Sequence, residues 1–64
     1  MCEANAYLIG KDGKEELFFK DVDVVKQEED GLLLRDIFGQ QKAIRARIKE
    51  LALVDHRIIL ERLE

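Results

Sequence analysis

The sequence predicts an all-β protein, a small antiparallel barrel or meander of five to seven short strands. Two Asp-Gly pairs, Asp12-Gly13 and Asp30-Gly31, divide the first half of the chain into runs rich in β-branched, leucine and aromatic residues. Asp-Gly is a strong hairpin signal, because both central residues of a type I′ turn need a positive φ. Short strands must not leave long open edges in water, so we expect the sheet to curl into a barrel or to pair an edge across a dimer.

These turn signals place the elements of the first half. Strands are predicted over about residues 3–9, 15–19, 22–27 and 32–38, where apolar residues alternate with polar ones or form short runs. The tyrosine and the three phenylalanines all fall in these segments, and we expect most of them to be core residues. Consecutive strands joined by tight turns form a meander.

The segment after Gly39 has two interpretations. Ile44, Ile48 and Leu51 recur at helical spacing, whereas Ile44, Ala46 and Ile48 alternate with basic residues as in a half-buried strand. We favour strands throughout, and one helical turn near residues 40–48 is the alternative.

The last apolar segment predicts a closing hairpin. Residues 51–54 and 57–60 are largely apolar, and they are separated by Asp55-His56, a polar pair of the kind found in turns. The single histidine therefore lies at a hairpin tip, where an imidazole is usually solvated. A metal role for His56 is the weaker interpretation, although imidazole is a common ligand.

With 64 residues, the chain is expected to form one domain over residues 1–64. A chain of this size buries only about 60% of the surface that its unfolded form exposes, so it needs a further source of stability. One cysteine and one histidine exclude an internal disulfide and a closed tetrahedral zinc site built from these ligands within one chain. We therefore expect a homodimer.

Composition favours the cytoplasm and argues against membranes and nucleic acid. The longest apolar runs, residues 32–34 and 58–60, are far shorter than the roughly 20 residues of a membrane span, and we see no signal-peptide pattern at the N-terminus. A free thiol suits a reducing compartment. The net charge is −3, and an acidic protein is a poor general binder of phosphates, although the half after Asp30 has seven basic and five acidic residues.

Cys2 is the strongest candidate for chemistry. A residue so near the terminus contributes little to a core, and its thiolate is a good ligand for soft and borderline metals. The Met1 amine, the Cys2 amide nitrogen and the Cys2 Sγ can close two fused five-membered chelate rings, a planar donor set that suits Ni(II). In a two-fold dimer, two Cys2 thiolates can share one ion. The alternative is a small, inert residue at the start of a strand.

Two other functions are weaker candidates. Lys42 to Lys49 form one basic segment, in which Arg45, Arg47 and Lys49 would project from one face of a strand and could contact phosphate. Proteins that read single-stranded RNA combine such a face with stacking aromatics, which lie elsewhere in this sequence, so a small-barrel RNA-binding protein is the second choice. Cys2 and His56 as a nucleophile and base would need a pocket and an oxyanion hole, so we expect no enzyme activity.

The chain opens with Met1-Cys2, continues with a short strand and a polar Asp-Gly turn, and ends in an apolar hairpin before an acidic C-terminus. In these features and in its length it resembles the CooT-type small nickel-binding proteins. The resemblance implies a homodimeric small β-barrel that binds Ni(II) through Cys2 and serves maturation of carbon monoxide dehydrogenase. That enzyme or one of its maturation factors is then the expected partner. Members have also been labelled RNA-binding on the strength of the barrel, which is an analogy of fold only.

Overall fold

A computed structural model describes residues 3–63 as one sheet of six strands. The sheet order is β4-β3-β2-β1-β6-β5, and the expectation of an all-β fold is confirmed. The strands are β1 (Ala4–Ile9), β2 (Glu15–Glu28), β3 (Gly31–Asp36), β4 (Gln41–Ile44), β5 (Ala46–Ala52) and β6 (Arg57–Arg62). No helix that could span a membrane occurs in residues 3–63.

The sheet is rolled into a small barrel, as the sequence predicts. β4 and β5 form its two opposite edges, yet only Arg45 separates them along the chain. The two edges must therefore meet at Arg45. The Leu63 N–H donates a hydrogen bond of 3.1 Å to the Arg45 carbonyl oxygen, which ties the end of β6 to this junction.

One strand pair differs from the predicted antiparallel arrangement. The first four strands form an antiparallel meander, and β5 and β6 form the predicted closing hairpin. β6, however, lies parallel to β1, with Tyr7 opposite Ile59. The chain crosses from one sheet edge to the other at Arg45, so the second strand of the hairpin returns beside β1 in the same direction.

The two Asp-Gly signals mark turns, but the type I′ geometry predicted for them is wrong. In the first turn Gly13 has φ 82°, whereas Asp12 is not among the residues with positive φ. In the second, residues 29 and 30 form the turn, and Gly31 already pairs with Glu28 as the first residue of β3.

β2 is one long strand where the sequence predicts two. Its first half pairs with β1, its second half pairs with β3, and Val22 pairs with both neighbours. Asp21 has φ 55° between the halves. The polar residues before Val22 therefore bend the strand without ending it, and one strand serves both sides of the barrel.

Residues 40–48 contain no helical turn. Lys42 pairs with Leu34 of β3, and Ala46 pairs with Arg62 of β6, with a bend at Arg45 between them. Pairing with two neighbouring strands satisfies the backbone polar groups of this segment, and it buries Ala46.

The inner faces of the strands form the core, which is the following cluster: Ala6, Phe19, Val22, Leu32, Leu34, Ala46, Ile58 and Leu60. Phe18 packs against this cluster, whereas Tyr7 does not belong to it. The expectation that most of the aromatic residues are core residues therefore holds only for Phe18 and Phe19. Phe38 departs from it, because its side chain is 73% exposed in the loop after β3.

Candidate functional site

Cys2, the predicted metal ligand, lies outside the described residues, as does Met1. The described residues closest to it in sequence are Glu3 and Ala4, the first residue of β1. Ala4 pairs with Val22 of β2, and Asn5 pairs with Arg57 of β6. The surroundings of β1's first residues are therefore the candidate functional site.

Asn5 connects three segments at this place. Its backbone N–H donates to the His56 carbonyl oxygen at 2.9 Å, and its side-chain Oδ1 accepts from the Asp21 N–H at 3.2 Å. The Asp21 carbonyl in turn accepts from the Ile37 N–H at 2.9 Å. These bonds hold the β5–β6 turn and the β3–β4 loop next to the start of β1. We call this region, residues 3–5 with segments 37–38 and 51–56, the Asn5 corner.

The Asn5 corner carries much of the exposed apolar surface in residues 3–63. Its exposed side chains range from Ile37 at 43% to Val54 at 92%, and together they are Ile37, Phe38, Leu51, Leu53 and Val54. The opposite turns, at residues 10–14 and 28–31, hold glycines and charged side chains. Monomeric proteins seldom expose such a cluster, and larger patches mark contact sites.

A shallow cleft of about 210 Å³ opens within the corner. Its apolar walls include Ala4 at the start of β1, Val25 of β2 and Leu51 of β5, and its rim includes Asp23 and His56. The cleft lies between the second half of β2 and the end of β5, two strands that do not pair. The barrel is therefore not fully sealed beside the start of β1.

His56 lies at a hairpin turn, as predicted, but close to the N-terminal strand. Its φ is 56°, its N–H donates to the Leu53 carbonyl at 3.2 Å, and its exposed side chain lines the cleft rim. The sequence does not indicate this proximity, because His56 lies 51 positions after Asn5 along the chain. The parallel pairing of β1 with β6 brings them together, and no local pattern encodes that pairing.

The basic segment does not form the single face that alternation predicts. Arg45 lies in the bend between two strands, and the register of β5 shifts between Ile48 and Glu50, around Lys49. Arg47 forms an ion pair of 2.7 Å with Glu61. The alternation breaks because the segment serves two strands at opposite edges of the sheet.

Lys42 is held against the aromatic pair of β2. Its Nζ lies 3.2 Å from the Phe18 carbonyl oxygen, 4.9 Å from the Phe18 ring centroid and 5.4 Å from that of Phe19. The structure thus places a cation beside aromatics that are distant in sequence. These contacts are intramolecular and lie partly against the core, so they tie β4 to β2.

On the outer face, Arg57 stacks on the Tyr7 ring, with Cζ 4.4 Å from the ring centroid, and forms an ion pair with Glu15. These two contacts join β6 to β1 and β2. Among residues 3–63, no group of three or more His, Cys, Asp or Glu side chains is placed to hold a metal ion.

Comparison with known proteins identifies a family, and solved structures that resemble this chain include the one described here. The family model described as CooT, CO dehydrogenase accessory protein, matches residues 1–61. A crystal structure from Carboxydothermus hydrogenoformans, provisionally identified as a CooT, has 57% sequence identity with this chain and a TM-score of 0.89. The similarity covers 98% of this chain and 100% of the other. No significant match is found among curated proteins.

Proposed function

Because the chain belongs to the CooT family of carbon monoxide dehydrogenase accessory proteins, we propose that it binds one Ni(II) per homodimer through Cys2 and supports maturation of that enzyme. An accessory protein is not itself the enzyme, so the family confirms the expectation of no catalytic activity. The observation that carries the proposal is the family match over residues 1–61, a range that includes Cys2.

The donor chemistry supports nickel. A thiolate with neighbouring backbone nitrogens offers a planar N,S set, and Ni(II) takes square-planar sites, whereas Zn²⁺ gains nothing from that geometry. One chain supplies half of such a site and a two-fold partner supplies the other half, giving two sulfurs and two nitrogens. The thiol must lose its proton on binding, so affinity falls as the pH is lowered.

The Asn5 corner supports a shared site. Its hairpin tip, residues 51–54, is apolar, and the turn that follows is hydrogen-bonded directly to the start of β1 through His56 and Asn5. Association through this tip would bury exposed leucine and valine side chains and bring two copies of the N-terminal strand close to one axis. We therefore assign the dimer contact to residues 51–54.

Titration calorimetry of the reduced protein with Ni(II) tests the proposal. Cys2→Ser is expected to lose most of the affinity, because the serine hydroxyl keeps its proton near neutral pH and cannot replace a thiolate. Leu17→Ala, an exposed position on β2 outside the corner, is the control and should bind as the parent does. If Cys2→Ser binds nickel like the parent, the proposed site is wrong.

His56→Ala tests whether the imidazole completes the site. We expect nickel affinity to stay within about threefold of the parent, roughly 0.7 kcal/mol, because the thiolates and backbone nitrogens already fill the square plane. The variant is informative because the structure places His56 beside the start of β1. A loss of tenfold or more would make the imidazole a ligand.

Extending the N-terminus by a few residues separates two versions of the site. Loss of nickel binding would identify the Met1 amine as a donor. Retained binding would instead identify backbone amides near Cys2 and Glu3.

RNA binding gains no specific support, because Lys42 and Arg47 are engaged in contacts within the barrel. If Cys2→Ser left nickel binding intact, a salt-sensitive RNA interaction would be the next function to measure. The cytoplasm is the proposed compartment, because a free thiol persists under reducing conditions.

A further inference from the structure

The pairing of β1 with β2 is irregular at the start of β1. Ala4 pairs with Val22, and Ala6 pairs with Phe19. Two positions along β1 therefore match three along β2, so β2 carries one extra residue, as in a β-bulge. Asp21 lies in this part of β2 and has φ 55°. A bulge leaves a residue of the bulged strand without its ladder partner, so the backbone ladder alone does not fix the register of Ala4.

The side chain of Asn5 supplies the contact that the ladder lacks here. Its Oδ1 accepts a hydrogen bond of 3.2 Å from the Asp21 N–H, in a partly buried position. Within residues 3–63 this is the only hydrogen bond made by a side chain that joins β1 to β2. On its other side, Asn5 donates its backbone N–H to the His56 carbonyl oxygen at 2.9 Å. Asn5 is thus tied to β2 by its side chain and to the turn before β6 by its backbone.

The register at Ala4 decides on which side of the sheet the start of the chain can act. Ala4 packs against the core, so its side chain faces inward. A slip of one residue would turn an inward-facing side chain outward. Cys2 lies two positions before Ala4, and side chains two positions apart in an extended chain lie on the same side. A slip at Ala4 would therefore change the side from which the thiol of an extended chain start can reach a metal.

We propose that Asn5 is a positioning residue for the nickel site. Its bond to the Asp21 N–H sets the register of Ala4, and through it the placement of the Cys2 thiolate. This inference rests on the proposed function, and it assigns Asn5 no contact with the metal. Contacts that orient metal ligands from outside typically change metal affinity by about 10–100-fold.

Calorimetric titration with Ni(II) of three variants, each checked for folding by circular dichroism, tests this role. Asn5→Ala removes the acceptor and should weaken nickel binding about tenfold or more, whereas Asn5→Asp keeps an oxygen of the same reach and should stay within about threefold of the parent. Gly13→Ala is the control, because it alters the turn at the far end of the β1–β2 pair and keeps the Asn5 bond. It should bind nickel as the parent does.

NMR of the metal-free protein separates positioning from a general loss of stability. The Asp21 amide should exchange slowly with solvent in the parent, in Asn5→Asp and in Gly13→Ala, and faster in Asn5→Ala. The cross-strand nuclear Overhauser contact between Ala4 and Val22 should be lost in Asn5→Ala alone. Weak nickel binding by Asn5→Ala with this contact intact would overturn the role in register.

The other outcomes are equally decisive. Parent-like nickel binding by Asn5→Ala, or equal losses in Asn5→Ala and Asn5→Asp, would overturn the positioning role and leave the nickel site standing. If Asn5→Ala does not fold, Asn5→Asp decides, since a tenfold loss there contradicts the role and parent-like binding supports it. Failure of the proposed function has a different signature, because Cys2→Ser would then bind nickel as the parent does.

Discussion

Gly31 is the glycine with the least room for a side chain. A Cβ at this position would lie 2.3 Å from the Ile44 carbonyl oxygen and 2.9 Å from Arg45 Cα, both backbone atoms at the junction of the two sheet edges. Gly31→Ala should therefore lower the free energy of unfolding by about 2 kcal/mol or more, since the junction cannot move aside.

Gly13→Ala is the matched control, because Gly13 has φ 82° but no atom within 4 Å of an added Cβ. Gly13→Ala should lower the free energy of unfolding by about 1 kcal/mol, because its only cost is a Cβ in a left-handed backbone conformation. Urea unfolding at one protein concentration measures both variants. An equal loss in the two would contradict the role given to Gly31 in closing the barrel.

Asp36 offers a second test at the residue scale. Asp36→Ala removes the acceptor for the Phe38 and Gln40 N–H groups, and leaving these donors unpaired should cost about 1–3 kcal/mol of unfolding free energy. Asp36→Asn keeps an Oδ1 acceptor and should lose much less in the same urea experiment. If both variants lose equally, the two hydrogen bonds do not hold the loop.

Single residues also show what sequence can and cannot reveal. Asp36 and Gly39 are residues typical of turns. Given weight, they would have predicted that β3 ends earlier and that Phe38 lies in a loop. The apolar run around it favoured a strand instead. The contact of Asn5 with His56, by contrast, depends on strand pairing across most of the chain and leaves no local signal.

At the scale of elements, the β5–β6 hairpin carries a pH-sensitive pair. The Arg47 guanidinium, through its hydrogen bond and then its charge, lowers the pKa of Glu61 below the ordinary value of 4.5. A carboxyl group whose pKa is lower in the folded state than in the unfolded state stabilises the fold at pH values above its unfolded-state pKa. This stabilisation is lost as the pH falls through the folded-state pKa.

Arg47→Gln should therefore raise the pKa of Glu61 towards 4.5, as measured by NMR titration of the carboxyl carbon. Lys49→Gln is the control, because the Lys49 charge is the smallest contribution to lowering this pKa. It should move the pKa less. A larger shift in Lys49→Gln would contradict the cross-strand pair.

Strands were predictable where turn residues and apolar alternation agree. The closing hairpin and the antiparallel pairing of the first half follow from such signals, and both are confirmed. The continuous β2 was missed because Lys20-Asp21 resembles a turn, whereas Asp21 adopts a positive φ and bends the strand. Periodicity over residues 40–48 suited a helix and a strand equally, and pairing with β3 and β6 decided between them.

For the whole molecule, the exposed hairpin tip predicts self-association. The protein without metal should be dimeric by light scattering at micromolar concentration, and Leu53→Asp with Val54→Asp should make it monomeric by placing charges in the apolar contact. Leu17→Asp, on the exposed part of β2, should remain dimeric. If the parent protein has a mass of 7.4 kDa, that of a single chain, the proposal that two chains share one metal site is contradicted.

The central claim is one Ni(II) shared by two Cys2 thiolates, and absorbance titration of the reduced protein tests it most directly. Adding Ni(II) should produce a sulfur-to-nickel charge-transfer band that saturates at one metal per two chains, from a square-planar, diamagnetic ion. The band should weaken as the pH falls and should be absent in Cys2→Ser. Saturation at one metal per chain, or an unchanged band in Cys2→Ser, would contradict the shared Cys2 site.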